Sequence, residues 1–254
     1  MRALYTAASG MTARQIQLEN IANNLANATT TGYKKTRENF SDLIYQQIGG
    51  AAVGDAMQLG SGARVSALSR DFSNGNTIIT TSSTDLMIDG EGFFAVENPA
   101  GETLYTRDGH FRVDLEGNLT TQDGYIVQPG FQIPQGASLM VGSDGTVSAL
   151  LKTDNGTETI SLGQFEIARF PNPEALMAAG GNYYRANTAA GEAEMTIPQS
   201  NGVGSVLQYA LEGSNVDVAE ELISMISAQR SYELNSKAIQ TADEMMQIAA
   251  NLKR

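Results

Sequence analysis

The sequence predicts an α+β protein in which a mainly antiparallel β middle domain is inserted between N- and C-terminal α-helices that pair as a coiled-coil stalk. Three observations carry this. Residues 1–30 hold one Gly and no Pro, and residues 214–254 hold neither. The region between is punctuated by Asn74-Gly75, Asp89-Gly90, Asp108-Gly109, Asp123-Gly124, Asp144-Gly145 and Asn155-Gly156, dipeptides that tolerate the positive φ of tight hairpins. Apolar residues at both ends recur in steps of three and four, the spacing of a helix-helix seam.

The first seam runs Leu4, Ala8, Met11, Leu18, Ala22 and Leu25, with Gln15 out of character. Gly32 stands where a left-handed residue would end this helix, which at about 27 residues would be roughly 40 Å long. Short β-prone runs follow: Leu86-Met87-Ile88, Phe93-Phe94-Ala95-Val96, the alternating Phe111, Val113 and Leu115, Tyr125-Ile126-Val127, Leu139-Met140-Val141 and Phe165-Glu166-Ile167. Asp217 and Glu220 have the spacing of a capping box that opens the second helix. Its seam runs Val218, Leu222, Met225, Tyr232, Ile239, Met246 and Ala250, with polar Gln229, Ser236 and Asp243 between. Amphipathic helices beside a β domain also commonly pack on its sheet, so the pattern leaves a projecting stalk and a docked pair both open. The domain boundaries expected are 1–31 with 214–254 for the helices, 32–72 with 196–213 for an extended or β connecting region, and 73–195 for the β-rich domain.

What the composition lacks excludes more chemistry than what it holds suggests. The chain has 254 residues, no Cys and one His, which removes disulfides, thiolate nucleophiles and the usual zinc centres. A formal charge of −12 opposes binding to nucleic acid or anionic lipid. That charge is uneven: 5 basic and 3 acidic residues leave residues 1–45 at +2, 7 and 18 leave 46–210 at −11, and 4 and 7 leave 211–254 at −3. No stretch approaches the roughly 20 apolar residues of a membrane helix, and the start lacks the pattern of a cleaved signal peptide. No cofactor or metal is expected.

Catalytic readings are weak. Asp108 and His110 alternate on one strand but are equally explained by an Asp-Gly turn. Asp85 with Asp89, or Asp114 with Glu116, could pair as glycosidase carboxylates, yet a chain with 28 acids produces such pairs by number alone. Gly60-Ser61-Gly62 and Gly90-Glu91-Gly92 lack the setting of a dinucleotide loop, and Asp89-Gly90-Glu91 lacks the ligand spacing of an EF-hand.

Motifs at the two ends are more specific. Ala8-Ser9-Gly10-Met11, then Ile21-Ala22-Asn23-Asn24-Leu25-Ala26-Asn27, then Thr30-Thr31-Gly32-Tyr33-Lys34-Lys35 resemble the N-terminal signature of the rod and hook family of bacterial flagellar axial proteins. Ser214-Asn215-Val216-Asp217-Val218-Ala219-Glu220-Glu221, with Ala228-Gln229-Arg230-Ser231-Tyr232, is similar to that family's C-terminal signature. Thr84 to Val96 and Tyr105 to Phe111 are similar to its β domain. The chain length, Asp42-Leu43-Ile44-Tyr45-Gln46 and the full SNVDVAEEL segment point toward the family's distal-rod branch.

The resemblance implies a structural subunit of a rigid, helically assembled drive shaft, exported without a cleaved signal into the periplasmic rod. It implies partners: other copies of itself, proximal rod proteins, the hook protein, the P-ring and L-ring proteins and the flagellar type III export apparatus. Leu4, Met11, Leu18, Leu25, Leu222, Met225, Tyr232 and Ile239 are the expected assembly seam. Asn23, Asn24 and Asn27 are read as a polar ladder between subunits, with plain solvated Asn as the alternative. Phe40 and Ile44 resemble a short export-gate element. The Gly-rich stretch from 49 to 62 is either a flexible linker or a piece packed on neighbours. A proximal rod or hook subunit is the nearer alternative, and a cell-wall glycoside hydrolase the one from another class.

Overall fold

The computed structural model describes residues 2–43, 46–48, 57–153, 156–200 and 202–251, which form two compact units. Ile44, most of the Gly-rich stretch (49–56) and Asn155 lie outside the described residues. The first unit comprises 1–26, 36–70 and 216–254, and the second 27–35 with 71–215.

The helical unit holds α1 (Arg2–Ala26) and α2 (Val218–Asn251). Residues of low turn propensity fill both, so neither is interrupted. Asp217 caps α2 as its spacing predicts: its Oδ1 accepts from the backbone N–H groups of Ala219 at 2.8 Å and Glu220 at 3.2 Å. After the end of α1 the chain goes on to a hairpin of β1 (Thr36–Asp42) and β4 (Ala63–Arg70), paired antiparallel, with a smaller ribbon of β2 (Gln46–Ile48) and β3 (Met57–Leu59) between them in sequence. α1 packs against both α2 and the β1–β4 hairpin.

Gly32 does have a positive φ, +67°, but it does not end the helix. α1 stops at Ala26, and Gly32 belongs to the β unit, where a Cβ would lie 2.6 Å from the backbone N of Asp108. Glycine is required there by a close backbone approach. Gly109 is similar: its φ is not left-handed, and a Cβ would lie 1.5 Å from the carbonyl oxygen of Leu86. Two of the dipeptides do work as turns, since Gly124 (φ +84°) links β10 (Leu119–Thr120) to β11 (Ile126–Val127) and Gly145 (φ +81°) precedes β13 (Thr146–Thr153).

The β unit is built mainly on one mixed-length antiparallel sheet. Its central strands are β7 (Phe93–Glu97) and β8 (Thr103–Thr106), extended on one side by β17 (Tyr183–Arg185) and β16 (Met177–Gly180). The other side is extended by β11, β10 and β9 (Arg112–Val113), while β15 (Ile167–Arg169) pairs with β7 and with β18 (Glu194–Thr196). A three-stranded meander of β12 (Ser138–Val141), β13 and β14 (Gly156–Gln164) adds a second sheet. Two short ribbons complete the unit: β6 (Leu86–Asp89) with β19 (Ser205–Gln208), and β5 (Thr77–Ile79) with β20 (Ala210–Glu212).

The continuous apolar run of β7 is explained by burial on both faces. Phe94 and Val96 join one core with Leu86, Ile88, Phe165 and Ile167. Phe93 and Ala95 face the other way, into a second core with Tyr105, Phe170 and Tyr184. Edge-to-face ring contacts at about 5 Å order both cores, Phe94 on Phe111 at 5.1 Å and Tyr105 on Phe170 at 4.8 Å. Phe111 turns inward as expected, whereas Leu115 is 95% exposed because β9 ends at Val113 and the chain reverses at Asp114.

Candidate assembly surface and the charge cluster of the β unit

On α1 the expected seam residues Leu4, Met11, Leu18 and Leu25 are half-buried, and Ala7, Ala13 and Ile21 are buried. On α2 the inward line runs Glu221, Ser224, Ala228, Ser231, Asn235 and Ala242. These small and polar residues let the helices come close, and a Cβ on Gly10 would sit 2.9 Å from the Asn235 amide nitrogen. Ile239 continues this line between Asn235 and Ala242 and Met225 borders it, both half-buried, whereas Leu222 and Tyr232 are exposed. A larger apolar surface also faces solvent: Ile223 is 70% and Leu234 66% exposed, and Ile226, Met245 and Ile248 are all more than half exposed.

The Asn residues of the first motif divide by environment. Asn23 is exposed. Asn24 is buried, and its amide is spent within the subunit: Nδ2 donates to the Thr36 carbonyl at 3.0 Å and Oδ1 accepts from the Thr36 N–H at 3.1 Å. Asn20, one turn earlier, donates to the same carbonyl at 2.7 Å, so a single helix face pins the first residue of β1. Asn27 accepts from the Thr30 hydroxyl at 3.2 Å. Phe40 is exposed and carries the Arg14 guanidinium over its ring at 5.5 Å.

The two terminal motifs meet where the chain enters and leaves the β unit. The Gly32 N–H donates to the Glu212 carbonyl at 2.8 Å, and the Lys35 N–H donates to Asn215 Oδ1 at 2.7 Å. Asn215 in turn donates to the Asp71 carbonyl at 2.8 Å. Ser214 is buried beside them, and Tyr33 and Val216 are half-buried.

Inside this junction lies a buried charge cluster that nothing in the sequence marks out, because Lys and Glu are ordinarily solvated. The Lys34 ammonium, fully buried, donates to Glu212 Oε1 at 2.6 Å and to the Ser73 carbonyl at 2.6 Å. The same carboxylate accepts from the Gly75 N–H at 2.9 Å and from Arg107 at 3.3 Å. Arg107 also donates to the Gly90 carbonyl at 2.8 Å and lies over the Phe93 ring at 5.3 Å. Burial pushes Lys34 below the usual lysine range, with Glu212 pulling the other way. Asn74-Gly75 is therefore no hairpin turn. It brings its backbone so close to the exiting chain that a Cβ would lie 1.9 Å from the Gly213 carbonyl oxygen.

The catalytic candidates resolve into turn structure. Asp108 Oδ1 accepts from the His110 N–H at 3.1 Å, and the His110 ring lies 3.3 Å from Asp85. Burial raises the Asp108 carboxyl above its ordinary range. Asp114 folds back on the Glu116 and Asn118 N–H groups at 2.9 and 2.7 Å, and Asp85 is buried while Asp89 is exposed. Among the described residues no group of three or more His, Cys, Asp and Glu could hold a metal, and no helix is long and apolar enough to cross a membrane.

Two terminal motifs folded together around an inserted β unit define an axial subunit of the flagellar type. Family models agree: one for flagella basal body rod proteins matches residues 4–34, one for the D1 domain of the flagellar hook protein FlgE/F/G matches 87–149, and one for the C-terminal region of basal body rod FlgEFG proteins matches 207–252. The chain is 46% identical to the flagellar basal-body rod protein FlgG of Borreliella burgdorferi, over 100% of this chain and 99% of that one. It is 40% identical to FlgG of Caulobacter vibrioides and 42% identical to FlgG of Agrobacterium fabrum, over 100% of each chain in both cases. It therefore belongs to the flagellar basal-body rod protein family, as a structural rod subunit and not an enzyme. Each member of the charge cluster falls in a different matched segment: Lys34 in the first, Arg107 in the second and Glu212 in the third.

Proposed function

We propose that this chain is a distal-rod subunit that assembles helically into a rigid hollow shaft in the periplasm, with α1 and α2 pairing as a coiled coil. In this reading residues 1–31 and 214–254 line the inner tube, 32–72 and 196–213 connect, and 73–195 face outward. Leu4, Met11, Leu18, Leu25, Leu222, Met225, Tyr232 and Ile239 are its seam. Its partners are further copies, the proximal rod proteins, the hook protein, the P-ring and L-ring proteins and the type III export apparatus, which would engage Phe40 and Ile44. The distal assignment is supported by the identity to FlgG proteins.

One observation carries the assembly reading. α2 is apolar on faces that α1 does not cover, and Leu222, Ile223, Ile226 and Leu234 remain exposed along it. Large apolar side chains exposed in this number along one helix mark a surface that a partner covers, and covering each is worth about 1.5–3 kcal/mol. The double substitution Leu222→Asp with Ile226→Asp tests this. Both sites are exposed in the single chain, so its unfolding midpoint should stay nearly unchanged while incorporation into basal bodies isolated from cells is lost. Normal incorporation of that variant would refute the reading.

A further inference from the structure

The β unit holds 7 basic and 18 acidic residues, net −11, while the helical unit is at −1 with 9 basic and 10 acidic. Copies of so acidic a unit repel one another wherever charged faces approach within the roughly 8 Å Debye length of physiological salt. Residues 73–84 and 195–211 carry no charged side chain. The β5–β20 ribbon draws β5 from the first segment and most of β20 from the second.

This ribbon is built unlike the rest of the unit. β20 is buried along its whole length, whereas all of β5 is exposed, with Ile79 at 85% and Ile78 at 45%. Among the described residues β5 pairs only with β20, and it carries no charged residue and no Pro to discourage further pairing, the usual protection of an edge strand. Beside it the chain changes partners at Tyr209: residues before it pair with β6 as β19, and residues after it pair with β5 as β20. Tyr209 makes that switch at φ +61°, a left-handed conformation costly for a bulky aromatic, and stands 46% exposed. Its carbonyl accepts from the Thr80 N–H at 2.8 Å, which places it next to Ile79.

We infer that Ile78, Ile79 and Tyr209 form a contact surface for a second copy of this chain, separate from the helical seam. It rests on the reading of the chain as a self-assembling subunit. A second copy is the occupant because an acidic unit can meet its own like most closely through a charge-free apolar edge, and because family membership supplies many copies. Burial against a neighbour also accounts for two isoleucines and a strained tyrosine left in water, which a lone subunit would have no reason to keep.

The absence of Cys makes the test direct, since Ile79→Cys gives one thiol per chain. That thiol, carrying a maleimide-benzophenone, should photocrosslink in isolated basal bodies to a second copy, identified by mass spectrometry of the product. Crosslinking only to a different protein, or none in assembled material, would overturn the inference. Should Ile79→Cys fold normally and fail to incorporate, the surface is needed for assembly and the inference is supported. Ile79→Lys should lower incorporation at least tenfold without moving the melting of the monomer, and unchanged incorporation would count against the surface. A crosslink to a second copy together with normal incorporation of the Leu222/Ile226 variant would leave this contact standing and remove the helix-based reading instead.

Discussion

In the β unit Phe94, Phe165, Ile167 and Val127 are all but fully buried in one of the two cores that share β7, and Lys34, Asp85, Arg107 and Glu212 are buried in the same unit. The helical unit buries Ala7, Ala13, Ile21 and Ala228, and shows Ile223 and Leu234 to solvent. The helical unit is the richer in apolar residues, 48 of its 100 against 57 of 154 in the β unit, yet it buries fewer of its large ones. The β unit places its large side chains against one another. The helical unit puts small ones between its helices and leaves large ones outside, so part of its stabilisation depends on what covers them.

The largest expected effect tests the self-sufficient side of that contrast. Glu212→Gln removes the hydrogen-bonded carboxylate shared by buried Lys34 and Arg107, which should cost about 3–5 kcal/mol of β-unit stability in a urea titration followed by circular dichroism near 218 nm. A loss under about 1 kcal/mol would mean that the cluster is not dry. The same deletion made in each unit gives the next largest difference. Phe94→Ala should cost about 3 kcal/mol, and Ile223→Ala should stay within about 0.5 kcal/mol in the monomer. Equal losses would erase the distinction between the units.

Local features bring smaller effects. Asp217→Ala removes the two N–H···O bonds that open α2 and should cost about 1 kcal/mol of helix stability, read from ellipticity at 222 nm during melting. The smallest effect depends on pH. Asp108 is raised by burial, so its folded form binds a proton more tightly than its unfolded form. Its contribution is present below the unfolded value of 3.8 and fades as pH rises through the folded value. Asp108→Asn should therefore gain on the wild-type chain in melting temperature between pH 3 and pH 7. A gap that is constant with pH would show that Asp108 is not the titrating group.

Local order was legible where the signal was local. The runs around Leu86, Phe93 and Leu139 are strands, and Asp217 caps α2, because β-branched and aromatic runs beside turn residues, or an acid before a helix, act within a few positions. β1 and β4 fall inside the stretch expected to be an extended or β connection, but neither stands out as an individual strand, since β1 is polar and both alternate only between half-buried and exposed positions. The second-helix seam was half legible: Ile239 falls on the packed line and Met225 beside it, but the rest of that line is small and polar, and hydrophobic spacing cannot find it. Lys34, Arg107 and Glu212 were invisible for a different reason. A charged residue becomes a core residue only through a partner, and the partners lie far along the chain. Gly75 and Gly109 were mistaken for turns because a glycine demanded by a crossing backbone looks the same in sequence as one demanded by φ.

The ion pair of Lys34 and Glu212 spans 178 residues. Closing so long a loop is costly in chain entropy and slow relative to local contacts. Lys34 thus lacks its hydrogen-bonded carboxylate until strand β20 arrives, after more than four-fifths of the polypeptide. When the chain is delivered N-terminus first, its early segment must wait, hydrated and unclasped, for its own ending. The β unit is fastened last at the point where it began.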